Sequence, residues 1–328
     1  FEIEMKSFIV YLGATLLFVA CSDSYRGELI FVEPEPEDVF QYPYFLFFPD
    51  EVSTGEEVFV IVEPNNSGFA DDDLQKHMDK AENTATNDYY LGNYVAQQLK
   101  YPLLVPAFPR PQSDWRIYTH ALDRDVMLQK GNSLERIDLQ LLAMFEDARV
   151  RLQDKNIESE DSFLLTGFSA SGTFANRFTL MHPERVKALA AGGLNGLLIL
   201  PLDSLQSELL KYPVGTGDFH EIANKEFQEQ LFLDTPQFYF MGQLDDNDAV
   251  PYDDAFDQDE REQIYRLLGE QMLLERWDNC RKIYESSGVN ADIRTYEEVG
   301  HKHPNAIKAE IIAFFREAIR TTNPPGVS

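Results

Sequence analysis

Residues 163–178 read FLLTGFSASGTFANRF: a short apolar run, a cluster of small residues and then a helical pattern. The apolar run is typical of a buried strand, and the apolar positions after it recur at helical spacing. A strand that turns directly into a helix leaves no room for bulk, which explains Gly167 before Ser169 and the small Ser171 after it. A serine at such a turn points its hydroxyl away from the sheet, next to the positive end of the helix.

The pattern around this serine is Gly-x-Ser-x-Ser. The usual pattern around a nucleophilic serine at a strand-to-helix turn is Gly-x-Ser-x-Gly. Here Ser171 replaces the last glycine, and Gly172 follows one residue later. A register with Ser171 as the nucleophile would put Ser169 and the β-branched Thr173 at the two crowded positions. Ser169 is therefore the better candidate nucleophile. Because the pattern also occurs by chance in loops, the rest of the chain must supply the context.

Composition sets broad limits on the function. The chain has 328 residues, enough to bury a large core, and its hydrophobic content of 44% is typical of a globular protein. The formal net charge of −28 argues against a nucleic-acid partner, because phosphates need a basic surface. The two cysteines, Cys21 and Cys280, lack the spacing of metal ligands and are too few for a disulfide framework. We expect neither a metal nor a cofactor.

The first 21 residues are typical of a targeting segment. Lys6 precedes an apolar run at 8–20, which is too short to span a bilayer, and Cys21 follows directly. The end of this run resembles a bacterial lipobox, which implies lipidation of Cys21, export and a membrane anchor in the bacterial cell envelope. An ordinary secretory signal is the alternative. Residues 1–4 are interpreted as an upstream extension, and the acidic, proline-bearing residues 22–38 as a tether.

The remaining chain, residues 39–322, predicts one α/β domain. Two apolar runs at 42–48 and 57–63 suggest a hairpin. Helical and strand patterns then alternate, which predicts a mostly parallel sheet flanked by helices. The predicted helices are 87–100 and 134–152, and the predicted strands are 103–108, 162–166 and 186–193. Residues 196–233 form an apolar insertion that either caps the site or packs as core beneath the sheet edge. The loop at 113–125, with Tyr118 and His120, is a candidate pocket lining or ordinary surface packing.

Two later motifs each follow a predicted strand. The strand at 237–241 leads into an acidic loop that contains Asp245 and Asp248. The last strand, 291–299, is followed by Gly300, His301, Lys302 and His303, and then by a helix at 306–319. His182 is a poor candidate base, because it lies at the far end of the helix that begins at Ser169. A calcium-binding reading of the acidic loop is weaker, because the loop lacks the ligand alternation and the glycine of a calcium loop.

With these three motifs the chain resembles an α/β-hydrolase of the esterase type over about residues 42–318. The resemblance implies a Ser169–Asp245–His301 triad, with Asp248 and His303 as the alternatives. It also implies an oxyanion hole formed by the backbone amides of Ala170 and Asn66, although Asn65 and Ser67 fit the second position almost as well. The implied substrate is a carboxylic ester, small or linked to a polymer such as a polysaccharide or polyester. A peptidase of the same fold and a non-catalytic surface binding protein remain the alternatives.

Overall fold

The computed structural model describes residues 26–34, 40–53 and 58–321. The predicted signal segment and Cys21 lie outside these ranges. Within them, no helix has the length and apolar character needed to cross a membrane.

Strands and helices alternate along most of the described chain. The strands are β1 (Gly27–Val32), β2 (Tyr44–Pro49), β3 (Val58–Val62), β4 (Leu103–Pro106), β5 (Ser159–Phe168), β6 (Val186–Gly192), β7 (Ser204–Leu205), β8 (Glu208–Leu209), β9 (Gln237–Gly242) and β10 (Ala291–Tyr296). The α-helices are α1 (Leu74–Thr86), α2 (Leu91–Leu99), α3 (Arg124–Met127), α4 (Ile137–Asp154), α5 (Ala170–Met181), α6 (Phe219–Ala223), α7 (Glu229–Asp234), α8 (Gln258–Leu268), α9 (Asp278–Ser287) and α10 (Asn305–Arg320). A π-helical turn, Met272–Trp277, leads directly into α9.

The central sheet has eight strands in the order β1-β2-β4-β3-β5-β6-β9-β10. The β1/β2 and β2/β4 pairs are antiparallel, and the other neighbours, from β4 to β10, are parallel. The predicted mostly parallel sheet flanked by helices is therefore confirmed. The carboxyl ends of the parallel strands meet at one edge, which is where sheets of this kind carry their sites.

The middle strands are buried on both faces, because helices cover both sides of the sheet. All five residues of β3 are buried, and they alternate between two cores. Val60 and Val62 join the larger core, which contains Phe178 of α5, whereas Ile61 joins a second core with Ile311 of α10. This alternation fixes which face each helix covers.

Two predictions about the first strands are wrong. The runs at 42–48 and 57–63 do not form a hairpin, since β4 lies between β2 and β3 and pairs with both. The tether predicted at 22–38 contains β1, which pairs with β2 along all six of its residues and forms one edge of the sheet. Its register buries Val32 in the larger core, so Gly27–Val32 belongs to the folded domain.

The insertion at 196–233 packs mainly as core. It contains the β7–β8 hairpin, α6 and α7. Leu198, Leu200, Leu210 and Tyr212 are fully buried in the larger core. Of the two alternatives for this insertion, the structure favours the packed one.

A buried carboxyl lies where β3 ends. Glu63 is 3% exposed and accepts a hydrogen bond of 2.6 Å from the backbone N–H of Gly92 in the first turn of α2. Burial raises the pKa of Glu63 to about 8, against the opposing effects of the Gly92 hydrogen bond and of the charge of Lys308. The folded protein therefore holds this proton through the neutral range, whereas the unfolded chain releases it near the ordinary value of 4.5.

The pKa of Glu63 is higher in the folded protein than in the unfolded chain. Its contribution to stability therefore falls as the pH rises from the unfolded pKa to the folded pKa. Glu63→Gln keeps the shape and removes the titration. We expect the free energy of unfolding of the wild type, relative to that of Glu63→Gln, to fall by about 3 kcal/mol between about pH 5 and pH 8. Urea unfolding across this range measures it, with the exposed Glu158→Gln as control. Parallel pH profiles for wild type and Glu63→Gln would contradict the assignment.

Candidate active site

Ser169 lies at a sharp turn between β5 and α5. Its φ of 62° and ψ of −128° are a combination that residues with a side chain rarely adopt. A Cβ atom at Gly167 would lie 2.4 Å from the carbonyl oxygen of Ser171, and one at Gly172 would lie 2.6 Å from the carbonyl oxygen of Gly192. Backbone packs directly on backbone at both positions, and this contact holds the turn in its strained form.

The side chain of Ser171 does not crowd this turn. It is buried, and its hydroxyl donates a 2.9 Å hydrogen bond to the carbonyl oxygen of Phe168. Oγ of Ser171 also accepts a 3.0 Å hydrogen bond from the backbone N–H of Phe168. Ser171 thus ties the first turn of α5 back to the last residue of β5. The glycine that the turn needs on this side is Gly172.

His301 and Asp245 form a direct pair. The two Asp245 carboxylate oxygens lie 2.9 and 3.1 Å from Nδ1 of His301, and the Asp245 side chain is 1% exposed. Asp248, the alternative acid, instead makes a 2.6 Å ion pair with Arg276, a fully buried guanidinium. The two acids of this loop therefore have different partners, Asp245 the histidine and Asp248 an arginine.

The ring of His301 is held next to the turn that carries Ser169. Its centroid lies 4.6 Å from that of Phe168, the residue before Ser169. Nδ2 of Asn247 lies 3.4 Å from Nε2 of His301. With Nδ1–H donated to Asp245, Nε2 carries the lone pair, which is the form in which an imidazole accepts a proton.

The other two histidines weighed as the catalytic base, His303 and His182, pack against or bond to groups away from Asp245. His303 is buried against Phe168 and Tyr89, and burial lowers its pKa to about 4, so its ring is neutral. His182 lies at the far end of α5, where its Nε2 is 2.8 Å from the buried carboxylate of Asp138. Neither ring pairs with the acids of the 245–248 loop among the described contacts.

The loop after β3 is held by buried side chains on both sides of Asn66. The side-chain amide of Asn65 donates a 2.9 Å hydrogen bond to the carbonyl oxygen of Phe108 and accepts one of 3.1 Å from its backbone N–H. The Ser67 hydroxyl lies 2.6 Å from Nδ1 of His77, and the Ser67 backbone N–H donates to His120 at 3.5 Å. These contacts engage the backbone N–H of Ser67, which argues against Ser67 as the donor, whereas Asn65 is held through its side chain only. The sequence-based choice is Asn66. Its amide as an oxyanion donor stays a prediction.

The other predicted oxyanion donor is the backbone N–H of Ala170. It is the first amide of α5, and the amides of a first helical turn have no acceptor within their own helix. Such an amide is available to an anionic oxygen beside Ser169, and the helix dipole favours the negative charge.

Ser169 opens into a cavity of about 290 Å³. Its walls come from four parts of the chain: the loop at 118–121, α5, the residue Asn195 after β6, and the segment 247–256. The lining residues are Tyr118, Ala121, Ser169, Ala170, Thr173, Arg177, Asn195, Asn247, Asp248, Ala249, Tyr252, Asp254, Ala255 and Phe256. Tyr118 thus lines the cavity as the sequence allowed, whereas His120 is buried, with its Nε2 2.9 Å from the carbonyl oxygen of Phe108. Neither Asn66 nor any residue of the insertion lines the cavity.

Several lining residues were not predicted from the sequence. Thr173 and Arg177 follow Ser169 at intervals of four residues, so helical spacing alone would have placed them on the same face of α5. The 247–256 wall has no such signal. Within the described ranges, no cluster of three or more histidine, cysteine, aspartate or glutamate side chains could hold a metal ion.

No protein-family model and no curated protein matches the sequence of this chain. Solved structures do match its fold. One is poly(aspartic acid) hydrolase-1 from Sphingomonas sp. KT-1, with a TM-score of 0.55 and 15% identity over 88% of this chain and 97% of that one. Another is an S-formylglutathione hydrolase from Agrobacterium tumefaciens, with a TM-score of 0.50 and 12% identity over 90% of this chain and 95% of that one. The chain has the α/β-hydrolase fold.

The role of Ser171 can be tested by Ser171→Ala. This change removes the Ser171 hydroxyl from the partly buried N–H and carbonyl of Phe168, so we expect a loss of about 1–2 kcal/mol in the free energy of unfolding. Ser286→Ala is the matched control, because the exposed Ser286 hydroxyl also donates to the carbonyl three residues earlier. Its cost should be below about 0.5 kcal/mol. Equal costs in urea unfolding would contradict the role of Ser171 as a tie.

Proposed function

We propose that this chain is a serine hydrolase that cleaves carboxylic esters through an acyl-enzyme. The observation that carries the proposal is the pairing of the buried Asp245 with Nδ1 of His301, beside the strained turn at Ser169. A carboxylate on one ring nitrogen and a lone pair on the other is the arrangement that lets an imidazole activate a hydroxyl. That the solved structures of this fold are named as hydrolases agrees with this reading.

In the proposed reaction, Nε2 of His301 takes the proton from Ser169, and Oγ attacks the ester carbonyl. Asp245 stabilises the positive charge that forms on the ring. The amides of Ala170 and Asn66 donate to the oxyanion. His301 then returns the proton to the leaving alcohol, and it activates the water that releases the acid from Ser169. The Asn247 amide near Nε2 must give way to the Ser169 hydroxyl before the first step.

Two other functions compete with this one. A peptidase of the same fold would use the same triad on an amide, and a non-catalytic binding protein would keep the fold without an activated serine. A side chain at position 171, where the usual pattern has glycine, would support the binding protein if it crowded the turn. Its hydrogen bonds to Phe168 weaken that objection. A polysaccharide-linked or polyester substrate is the finer proposal within the ester class.

The proposed location is the bacterial cell envelope, with the enzyme exported and anchored through a lipid on Cys21. Support comes from the sequence alone: a lysine, a 13-residue apolar run and then the cysteine. We expect the full chain, expressed in a bacterium, to incorporate radiolabelled palmitate and to lose the label in Cys21→Ser. Cys280→Ser is the control, since that thiol is buried in the core. An unlabelled wild type, or label that survives in Cys21→Ser, would rule out the anchor.

The activated serine is tested with a fluorophosphonate probe and short 4-nitrophenyl esters. We expect the wild type to be labelled and to hydrolyse the esters, and Ser169→Ala to lose both activities. Asp245→Asn should lower kcat by about 1,000- to 10,000-fold, because the wrong ring tautomer of His301 is then favoured. Asp248→Asn should lower stability more than kcat, because it leaves the buried Arg276 without its acid.

Each failure in these assays has a distinct meaning. A folded wild type that neither labels nor hydrolyses esters would favour the binding protein. Labelling together with cleavage of peptides in preference to esters would favour the peptidase. Labelling that persists in Ser169→Ala would mean that another serine is the nucleophile, and Ser171 is then the first candidate. A larger fall in kcat for Asp248→Asn than for Asp245→Asn would exchange the roles of the two acids.

A further inference from the structure

One wall of the cavity beside Ser169 is a single face of α5. Ser169, Thr173 and Arg177 follow one another at intervals of four residues, and all three line the cavity. At a rise of 1.5 Å per residue, the backbone of Arg177 lies about 12 Å along the helix from that of Ser169. Helical side chains lean toward the N-terminus, so Thr173 and Arg177 both lean toward the nucleophile. A substrate bound at Ser169 would therefore extend past these two side chains.

Thr173 contributes a hydroxyl without a partner. The residue is 5% exposed, and its Oγ1 makes no hydrogen bond to any described residue. Other helical threonines of this chain behave differently. Thr84, Thr86 and Thr179 each donate to the carbonyl oxygen four residues earlier, at 2.8–2.9 Å. A buried polar group normally finds a partner, so the hydroxyl of Thr173 is a candidate contact for a ligand in the cavity.

Arg177 contributes a buried positive charge. It is 3% exposed, and its NH1 donates a 2.9 Å hydrogen bond to the carbonyl oxygen of Ala121. In the described part of the chain it forms no ion pair with a carboxylate. The two acids that line the same cavity are already neutralised, Asp248 by Arg276 and Asp254 by Arg110, each at 2.6 Å. Among the described charged side chains that line this cavity, Arg177 is thus the one without an ion-pair partner.

Two carboxyls act on the charge of Arg177 without forming an ion pair with it. Asp123 and Glu260 interact with its charge from the neighbouring cavity, which has a volume of about 540 Å³. Burial raises the pKa of Asp123 and that of Glu260 to about 7 each. Near neutral pH both acids are therefore partly protonated, and the guanidinium keeps its attraction for another anion.

We propose that this cavity selects esters that carry a carboxylate or a similar anion, held by the guanidinium of Arg177 and the hydroxyl of Thr173. The inference rests on the proposed ester hydrolysis and specifies its substrate class. A guanidinium and a hydroxyl together supply the donors that a carboxylate accepts, and charge-assisted hydrogen bonds of this kind are strong. Arg177 and Thr173 are then specificity residues that contact the part of the substrate remote from the scissile bond.

The test uses pairs of esters that differ only in charge. On the acyl side these are 4-nitrophenyl hydrogen adipate and 4-nitrophenyl methyl adipate. On the alcohol side they are 3-carboxyphenyl butyrate and its methyl ester. In at least one pair we expect the wild type to prefer the anion by about 10- to 100-fold in kcat/KM, as one or two charge-assisted hydrogen bonds would give. The preference should fall below about 3-fold in Arg177→Met and decrease in Thr173→Val. Arg177→Lys should retain part of it.

Thr173→Val separates binding from folding. Because the Thr173 hydroxyl has no partner, replacing it with a methyl group should leave the thermal unfolding temperature unchanged or raise it. Thr179→Val is the matched control on the same helix, and it should keep the anion preference. No preference in either pair of esters, or a preference that survives in both Arg177→Met and Thr173→Val, would overturn the proposal. Equal losses on charged and neutral esters would mean a purely structural role for Arg177.

A binding measurement distinguishes this proposal from the proposed reaction. Ser169→Ala should bind 4-nitrophenyl hydrogen adipate or 3-carboxyphenyl butyrate without cleaving it, and calorimetry measures the affinity. Adding Arg177→Met to Ser169→Ala should weaken that binding by about 10-fold or more. If this holds while the wild type cleaves no ester, the anion site stands and the proposed reaction fails. If the wild type cleaves neutral esters and Ser169→Ala binds neither anion better than its methyl ester, the reaction stands and the anion site fails.

Discussion

The contact of backbone on backbone where β5 turns into α5 is the constraint on which the site depends. Gly167 lies against the Ser171 carbonyl, and Gly172 lies against Gly192 of β6. These contacts force Ser169 into its strained conformation and bring the start of α5 against the carboxyl end of the sheet. His301 and Asp245 then reach the same edge because β9 and β10 run parallel to β5 and end there.

The sequence predicted those parts of the fold whose signal is local. The apolar runs of β4, β5, β6 and β9 and the helical pattern of α4 lie close to their predicted positions, because hydrophobic periodicity is a property of neighbouring residues. The order of Ser169, Asp245 and His301 could also be read, since each follows a strand. Only the side-chain geometry could show that Asp245 faces the histidine while Asp248 faces Arg276.

The errors arose where the outcome depends on residues far apart in the chain. The neighbours of β2 are β1 and β4, and β4 lies more than 50 residues away, so no turn signal reveals the pairing. The acidic composition around 33–38 suggested a tether and hid the short strand β1 just before it. The cavity wall at 247–256 is irregular chain without periodicity. The partner of each lining acid, Arg276 and Arg110, comes from a distant segment.

The hydrogen bonds of Ser171 bear on how such turns are recognised. The turn restricts volume at two positions, and Gly167 and Gly172 meet that restriction here, so the residue between Ala170 and Gly172 is free to be something other than glycine. A sequence search that requires glycine two residues after the nucleophile tests which residue is present. The geometry of the turn limits only the volume available there. A chain can keep the turn when its glycine lies one residue later and a serine that bonds to the strand takes the usual glycine position. The usual pattern then no longer detects that chain.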